Sequence, residues 1–482
     1  MLLLHGGTIR TMDPARPAAA ALLLDGDRIA AVLDDPADAP RGVERADLDG
    51  GCALPGFTDA HVHFPSWALS RRELALLDAR SLADAVARVA RAAPSAGGWI
   101  RGRGWRDELW PDAERPHRAA LDAVVPAVPV ALRAHDSHSL WLNSAALALA
   151  SGDLETPGGV VERDPGGEPT GILREEAAWR FEARFAPERA EALEAMRAAM
   201  PAVAAAGVVA VHDKDGGKGA PELFAAAALP LRVWQSVPAD AESLEGADYV
   251  KAFMDGTLGS RTARLLDGTG VEITSATALE ALIRRAAAAG LPLAVHAIGD
   301  RANRDALDAF AATREAWRGL RPRIEHAQCI HPVDVPRFAQ LGVAASVQFT
   351  HATSDRDVAE RLWADRIGHA YPYRALLDAG AVVAGGSDAP IEPLAPLDGL
   401  RAAVLRTLDD RPAWRPEQTL PLGAALAAFT TAPAWLEGAE ARRGRLAPGM
   451  AADVVVLDRD PAADLAGARV ARTMLAGRWL AT

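Results

Sequence analysis

His61 and His63 are separated by one residue and could hold one metal ion from a single strand. On a β-strand the period of two directs both imidazoles to the same side. Three more metal-competent groups, His296, His326 and Asp388, each end an apolar run far along the chain. Neutral imidazoles with a carboxylate are ligands that suit Zn2+ in hydrolytic sites. These five residues predict a site for one or two divalent metal ions.

Lys251 lies in another apolar run, YVKAFMDG, and is one of three lysines in a chain with 52 lysines and arginines in total. A buried amine with a lowered pKa can take up CO2 and become a carbamate, an anionic bridging ligand that arginine cannot form. The alternative is an ammonium at a strand end. The scarcity of lysine favours the carbamate, and the sequence leaves both the mononuclear and the binuclear site open.

Eight apolar runs must position these residues. They predict strands at 56–63, 207–213, 231–237, 249–256, 291–300, 323–328, 343–349 and 381–388. Ala-rich helical patterns lie between them, so the fold class is α/β and the architecture a TIM-type (β/α)8 barrel. Such barrels keep their active sites at the C-terminal ends of the strands. The metal-competent residues occupy those ends and are expected to converge.

Two further units are expected beside the barrel, which is assigned to residues 56–436. Short antiparallel strands at 2–4, 20–24 and 29–33, with another at 454–457, predict a small β-sandwich domain built from residues 1–55 and 437–482. The long gap between the first two barrel strands predicts that residues 65–200 form an insertion that roofs the active site.

His138 and Trp105 of this insertion are predicted to bind substrate. The alternative for His138 is a structural hydrogen bond. For Trp105 the alternative is a place in the core of the insertion, whereas a position on the cavity wall would suit an apolar substituent of the substrate.

Composition limits the partners. A net charge of -12 disfavours binding to nucleic acids or anionic membranes, and no apolar run approaches a membrane span of roughly 18 residues. Cys52 and Cys329 are far apart, which argues against a disulfide framework or a thiolate zinc site and for a reducing, cytoplasmic location. The apolar start, MLLL, is too short for a secretory signal. A small-molecule substrate is expected, and a homodimer is left open.

Several segments together resemble the amidohydrolase superfamily, in particular the YtcJ-like branch of amidohydrolase family 3. They are LPGFTDAHVH, YVKAFMDGTLGSRTA, LAVHAIGDRAN, RIEHAQ, AGGSDAP and RLAPGMAADVVVLD, with DSHSLWLNSAAL and GEPTGILREEA in the insertion. The resemblance extends over nearly the whole chain. It implies one metal ion held by His61, His63 and Asp388, a second held by His296 and His326, and carboxylated Lys251 as the bridge.

The implied activity is hydrolysis of an amide-like C–N bond, such as an N-acyl or N-formyl bond, by metal-bound hydroxide. Zn2+ lowers the pKa of its bound water toward roughly 7. Asp388 would be the proton shuttle, taking the proton and delivering it to the leaving nitrogen. Ester, lactone or cyclic-amide hydrolysis would use the same hydroxide.

A mononuclear deaminase of the same superfamily is another alternative. It would usually carry a glutamate three residues after the histidine of strand five, whereas Ala-Ile-Gly-Asp follows His296. A non-catalytic assembly protein built on this barrel would be expected to have lost metal ligands, and all six candidates are present.

Overall fold

The computed structural model describes residues 1–95, 97–110, 115–150 and 154–481. Its centre is a parallel sheet of eight strands paired in chain order. All eight predicted strands are present, mostly a few residues shorter than predicted: β1 Phe57–Val62, β2 Val208–Asp213, β3 Arg232–Pro238, β4 Tyr249–Phe253, β5 Leu293–Ala297, β6 Arg323–His326, β7 Ala344–Val347 and β8 Val383–Gly385.

The two edges of this sheet approach each other closely. A parallel bridge joins Val62 to Ala389, just after β8. A Cβ at Gly386 would lie 2.4 Å from the backbone nitrogen of His61, so this approach requires glycine. The buried Asp59 carboxylate accepts hydrogen bonds from the backbone nitrogens of His61 (3.1 Å) and Ser387 (3.0 Å). The sheet is therefore a near-barrel, consistent with a TIM-type barrel.

The strands form from continuous apolar runs, since most of them are buried on both faces as parallel strands between helices are. The helix Ala276–Ala288 is typical of the covering layer: Ser275 caps its first turn by accepting a hydrogen bond from the Ala278 nitrogen. The helices that follow the barrel strands are Phe64–Ser70, Ala220–Ala227, Ala276–Ala288, Asp300–Ala312, Val335–Leu341, His351–Ser354, Arg356–Leu362, Tyr373–Asp378, Pro396–Leu405, Leu422–Ala428 and Thr431–Leu436.

Two smaller sheets contain the chain ends. One pairs Ala21–Asp25 with Leu2–His5 and Arg28–Leu33, antiparallel as predicted, and adds Glu44–Asp47 in parallel. The other combines both ends of the chain: Thr8–Arg10, Ala18–Ala19, Cys52–Pro55, Val454–Leu457, Val470–Leu475 and Arg478–Trp479. Both sheets contribute to one apolar cluster. The domain limits 1–55 and 437–482 stay a prediction.

A third structural unit lies between β1 and β2. Its mixed sheet has the strand order Gly159–Arg163, Pro169–Glu175, Ser139–Leu142, Val130–Ala134, Ile100–Trp105 and Leu74–Ala75. Its helices are Leu82–Val89, Arg118–Asp122, Ser144–Leu149 and Glu176–Arg184. The helices Arg189–Ala198 and Met200–Ala205 follow in the chain and share an apolar cluster with the barrel helices Phe64–Ser70 and Ala220–Ala227. The sheet has apolar clusters of its own on its two sides.

Several hydrogen bonds join the insertion to barrel loops. Asp136 accepts hydrogen bonds from Thr257 and Ser260, both 2.6 Å. Arg106 donates to the Ser354 carbonyl at 3.3 Å. Within the described parts of the chain, no helix is long and apolar enough to span a membrane.

Candidate metal centre

Three predicted ligands from distant parts of the sequence meet at the C-terminal edge of the barrel. Donor atoms of His61, His326 and Asp388, all buried, lie within 4.8 Å of one another. The Nε2 atoms of His61 and His63 lie 3.2 Å and 3.4 Å from Asp388 Oδ1, and His326 Nδ1 lies 3.8 Å from Asp388 Oδ2. One carboxylate thus faces three imidazoles.

The backbone is strained at two of these positions. His326 has a φ of 70° and Asp388 a φ of 59°, in the left-handed region that side chains rarely adopt. Such strain is found where the surrounding structure fixes a side chain for function.

Carboxylates beside His61, in β1, and His63, directly after it, fix the orientation of both rings. The Nδ1 atoms of His61 and His63 donate to Glu325 at 2.8 Å and to Asp215 at 2.9 Å, respectively. Each acceptor holds the hydrogen on Nδ1 and leaves the Nε2 lone pair for a metal ion. Desolvation lowers the pKa of His63, but hydrogen bonds that the ring donates to Asp215 and Asp388 outweigh it and raise that pKa to about 9. A metal ion must therefore displace a proton at this ring.

The other two histidines are held by neutral acceptors. His326 Nδ1 donates to Gln348 Oε1 at 2.8 Å, and His296 Nε2 donates to the Gly256 carbonyl at 3.2 Å. The two rings lie 4.5 Å apart between centroids. Burial lowers the pKa of both imidazoles well below the usual value, so both are neutral near pH 7. Each presents one nitrogen that could bind a metal ion.

Glu325 is a functional residue that the sequence analysis missed. It is fully buried behind His61, and its carboxylate also pairs with Lys214 at 2.8 Å and with Arg323 at 2.7 Å. Burial acts to raise the pKa of Glu325, but the two cations outweigh it and hold that pKa well below its usual range. The scarcity of lysine, which drew attention to Lys251, could have led through Lys214 to this carboxylate.

Lys251 lies in the same cavity with an unpaired amine. The residue is 4% exposed, and its Nζ has no hydrogen-bond partner within the described chain. Nζ lies 4.5 Å from the centroid of the Phe253 ring. Burial lowers the pKa of the amine to about 8, so a neutral fraction is available near neutral pH. An unpaired buried amine among imidazoles fits a ligand formed by carboxylation.

All six predicted ligands line one cavity of about 1380 Å³. His138 reaches it from the insertion. It donates from Nδ1 to Glu175 at 2.6 Å and lies 5.4 Å from the His296 ring. His138 therefore makes a structural hydrogen bond and also lies beside the cavity, although the sequence analysis treated these two roles as alternatives.

Trp105 also borders the cavity but is 2% exposed. Its Nε1 donates to the Leu132 carbonyl at 2.9 Å, and its ring packs edge-on against Trp141. A larger aromatic wall comes from Trp179 and Phe253, whose rings lie 5.3 Å apart on the side of His296. The sequence analysis did not single out this pair.

Comparisons with known proteins identify relatives of this chain. Residues 44–481 match the Amidohydrolase family. The chain is 32% identical to YtcJ of Bacillus subtilis (strain 168), whose name classes it as an amidohydrolase, over 95% of this chain and 94% of that protein. It is 29% identical to the N-substituted formamide deformylase of Arthrobacter pascens, again over 95% and 94%.

A solved structure shares the fold and most of the length. It is an uncharacterized metal-dependent hydrolase from Pyrococcus horikoshii OT3, with a TM-score of 0.77 and 26% identity over 95% of this chain and 98% of that one. The predicted family is confirmed by these matches. The chain belongs to the amidohydrolase family, as a metal-dependent hydrolase of the amidohydrolase superfamily.

Proposed function

We propose that the protein hydrolyses an amide-like C–N bond, such as an N-acyl or N-formyl bond, in a small molecule. The observation that carries the proposal is the Asp388 carboxylate, which faces His61, His63 and His326 at the base of a large cavity. A carboxylate in that place can accept a proton from water and pass it to a leaving nitrogen. The likeness to a formamide deformylase supports the C–N bond as the target.

The residues fit a metal ion by the chemistry of their donors. Four histidines, each with one ring nitrogen held by a hydrogen-bond acceptor, and a carboxylate suit Zn2+. One ion would be held by His61, His63 and Asp388, and a second by His296 and His326, with carboxylated Lys251 as a shared ligand. A bound ion of this kind lowers the pKa of water and polarises a carbonyl.

The protein's own residues have separable tasks in this proposal. Glu325 and Asp215 keep the His61 and His63 rings in one orientation. The imidazoles of His61 and its neighbours hold the pKa of Asp388 well below the usual range, against the effect of burial, so this carboxylate is ionised. In this proposal it accepts the proton that the attacking water loses. It then gives that proton to the nitrogen as the C–N bond breaks, which an amide requires because an unprotonated amine anion is a poor leaving group.

Substrate placement comes from the rest of the cavity. Trp179 and Phe253 offer an apolar wall that fits an alkyl or aryl substituent. His138, held by Glu175, adds a polar group on the same side. We assign Trp105 a smaller part in substrate binding, because its indole nitrogen already donates a hydrogen bond within the insertion.

Elemental analysis tests the metal part of the proposal. Purified wild type should contain one to two zinc-like ions per chain, and His61→Ala/His63→Ala should lose at least one of them. The matched control is His5→Ala/His117→Ala, because neither residue lines the cavity. Equal metal content in the wild type and the His61/His63 variant would contradict the assignment.

A substrate screen tests the bond that is cleaved. The metal-reconstituted protein is assayed on N-formyl, N-acetyl and longer N-acyl amines and amino acids, with matched esters alongside. Release of free amine from one amide class, lost in Asp388→Asn, is expected. Turnover of esters or lactones alone would show that the C–N assignment is wrong.

A further inference from the structure

His351 places an unpaired ring nitrogen at the candidate metal centre without being one of its predicted ligands. It begins the short helix His351–Ser354 after β7 and is 5% exposed. Its Nε2 lies 3.8 Å from Asp388 Oδ2 and has no hydrogen-bond partner among the described residues. Since His351 also lines the cavity, this nitrogen is available to a bound molecule.

Gln328 determines which hydrogen the His351 ring carries. The Gln328 amide nitrogen donates to His351 Nδ1 at 3.0 Å, and both side chains are buried. A neutral imidazole that accepts at Nδ1 carries its hydrogen on Nε2. His351 therefore presents a donor toward Asp388, whereas a metal ligand would need a lone pair at that atom.

The His351 ring lies parallel to the ring of His326, a predicted metal ligand. The His351 and His326 rings are parallel to within 8°, with centroids 6.2 Å apart. The donor thus lies beside Asp388 on the wall of the cavity.

We propose that His351 is a catalytic residue whose Nε2–H donates a hydrogen bond to the substrate carbonyl oxygen and to the oxyanion that it becomes, with Gln328 as the positioning residue. As the attacking oxygen forms its bond to carbon, the C=O π pair moves onto the carbonyl oxygen. The N–H bond of His351 is not broken. The negative charge on that oxygen strengthens the hydrogen bond, so the contact stabilises the transition state more than the ground state.

The role of His351 adds a catalytic group to the proposed function. It rests on that function in one respect, which is that the substrate must contain a carbonyl group. Hydrolysis of an amide or of an ester passes through the same oxyanion. The nature of the leaving group and the role of His351 can therefore fail separately.

Two substitutions at His351 separate a donor from a structural side chain. In His351→Gln the amide nitrogen reaches the position of Nε2, whereas in His351→Asn it reaches only that of Nδ1. We expect kcat to fall about 100-fold in His351→Asn, with KM within a few-fold and metal content unchanged, and to stay within about tenfold of wild type in His351→Gln. Equal losses in both variants, or a loss of metal in His351→Asn, would overturn the proposal.

Gln328→Glu tests the positioning role. A carboxylate accepts a hydrogen from Nδ1, so it reverses the tautomer and leaves Nε2 without its hydrogen. The kcat of Gln328→Glu should fall as far as that of His351→Asn, again with little change in KM, and wild-type kcat in this variant would refute the role. Thr353→Val is the control for this turn, since the Thr353 hydroxyl donates to the Thr350 carbonyl and Thr353 does not line the cavity.

The kinetic comparison uses whichever amide or ester the wild type cleaves. Ester-only turnover would refute the proposed C–N hydrolysis while the variants at His351 still test the donor. If no substrate in the panel is turned over, titration calorimetry with methylphosphonate, a tetrahedral oxyanion, takes its place. Wild type and His351→Gln should bind it about tenfold more tightly than His351→Asn, and equal affinities would overturn the inference.

Discussion

Lys251 and Glu325 are buried ionisable side chains of the same site, but they differ in the number of polar partners around them. The Glu325 carboxylate has three partners, His61, Lys214 and Arg323. The Lys251 amine has no hydrogen-bond partner in the described structure. A buried carboxylate that is paired with cations and hydrogen-bond donors can stay ionised. An unpaired buried amine, in contrast, tends to lose its proton or acquire a ligand. Replacing each residue should therefore have a different consequence.

Lys251→Arg keeps a positive charge but cannot form a carbamate. We expect it to bind one metal ion fewer than wild type and to lose most activity, while Lys251→Ala regains part of the activity with a short added carboxylic acid. Metal content and rates with and without acetate measure this. Retention of both metal and activity in Lys251→Arg would exclude a bridging role.

Glu325→Gln keeps the shape of the side chain but removes the charge that balances Lys214 and Arg323. Metal affinity should fall about 10- to 100-fold, because His61 loses its anionic partner, and stability should fall by about 3–5 kcal/mol. Zinc titration and urea unfolding measure the two effects. In Glu325→Gln/Lys214→Met part of the stability should return; additive losses would contradict the pairing.

Among the elements, the insertion between β1 and β2 has a core of its own. Leu132 and Trp141 are fully buried in it, away from the metal centre. The same unit supplies His138 and Trp179 to the cavity. We therefore expect the folding of the insertion to be separable from metal binding, whereas substrate binding should depend on both.

Leu132→Ala should destabilise the insertion by about 2–5 kcal/mol, through lost burial and an unfilled cavity. We expect faster amide hydrogen exchange in the insertion strands and a higher KM, with metal content unchanged. Val124→Ala, at a 37% exposed position of the same unit, serves as the control. Loss of metal in Leu132→Ala alone would show that the insertion supports the metal site directly.

At the scale of the whole molecule, the two chain ends are joined in one sheet that leads into the barrel. Cys52–Pro55 pairs with Val454–Leu457, and β1 begins two residues later. Arg10 and Asp460 add a two-pronged ion pair, with both distances 2.7 Å, across the same junction. The strand that leads into the barrel, Cys52–Pro55, therefore pairs with a strand from the C-terminal part of the chain, which is synthesised last.

The Arg10–Asp460 pair is partly exposed, so its contribution should be modest. A double-mutant cycle with Arg10→Ala and Asp460→Ala should give a coupling free energy of about 0.2–1 kcal/mol in urea unfolding. The hydrogen bond from Arg10 lowers the pKa of Asp460 below 3.8, so this stability is complete above that pH and is lost as the pH falls through the lower folded-state value. The coupling should be equal at pH 7 and pH 5; a marked decrease by pH 5 would contradict it.

The sequence by itself determined the eight barrel strands and the family, because both can be recognised from short segments of consecutive residues. Apolar runs of strand length mark β1 to β8, and segments such as LPGFTDAHVH carry the family resemblance. The spacing of His61 and His63 predicted both on one side of a strand. Both Nε2 atoms do lie near Asp388, although His63 comes directly after the end of β1. The roles of the six predicted ligands stay a proposal that the geometry supports.

Only the tertiary structure decided which groups hold those ligands and which nitrogens face the cavity. Glu325 contacts His61 from 264 positions away, and Gln328 fixes His351 from another strand end. The parallel strand Glu44–Asp47 and the Trp179–Phe253 wall likewise depend on packing. Such contacts join residues that are remote in the chain and carry no local period. A histidine tautomer, in addition, is set by the partner of its other nitrogen, which exists only once the strands have come together.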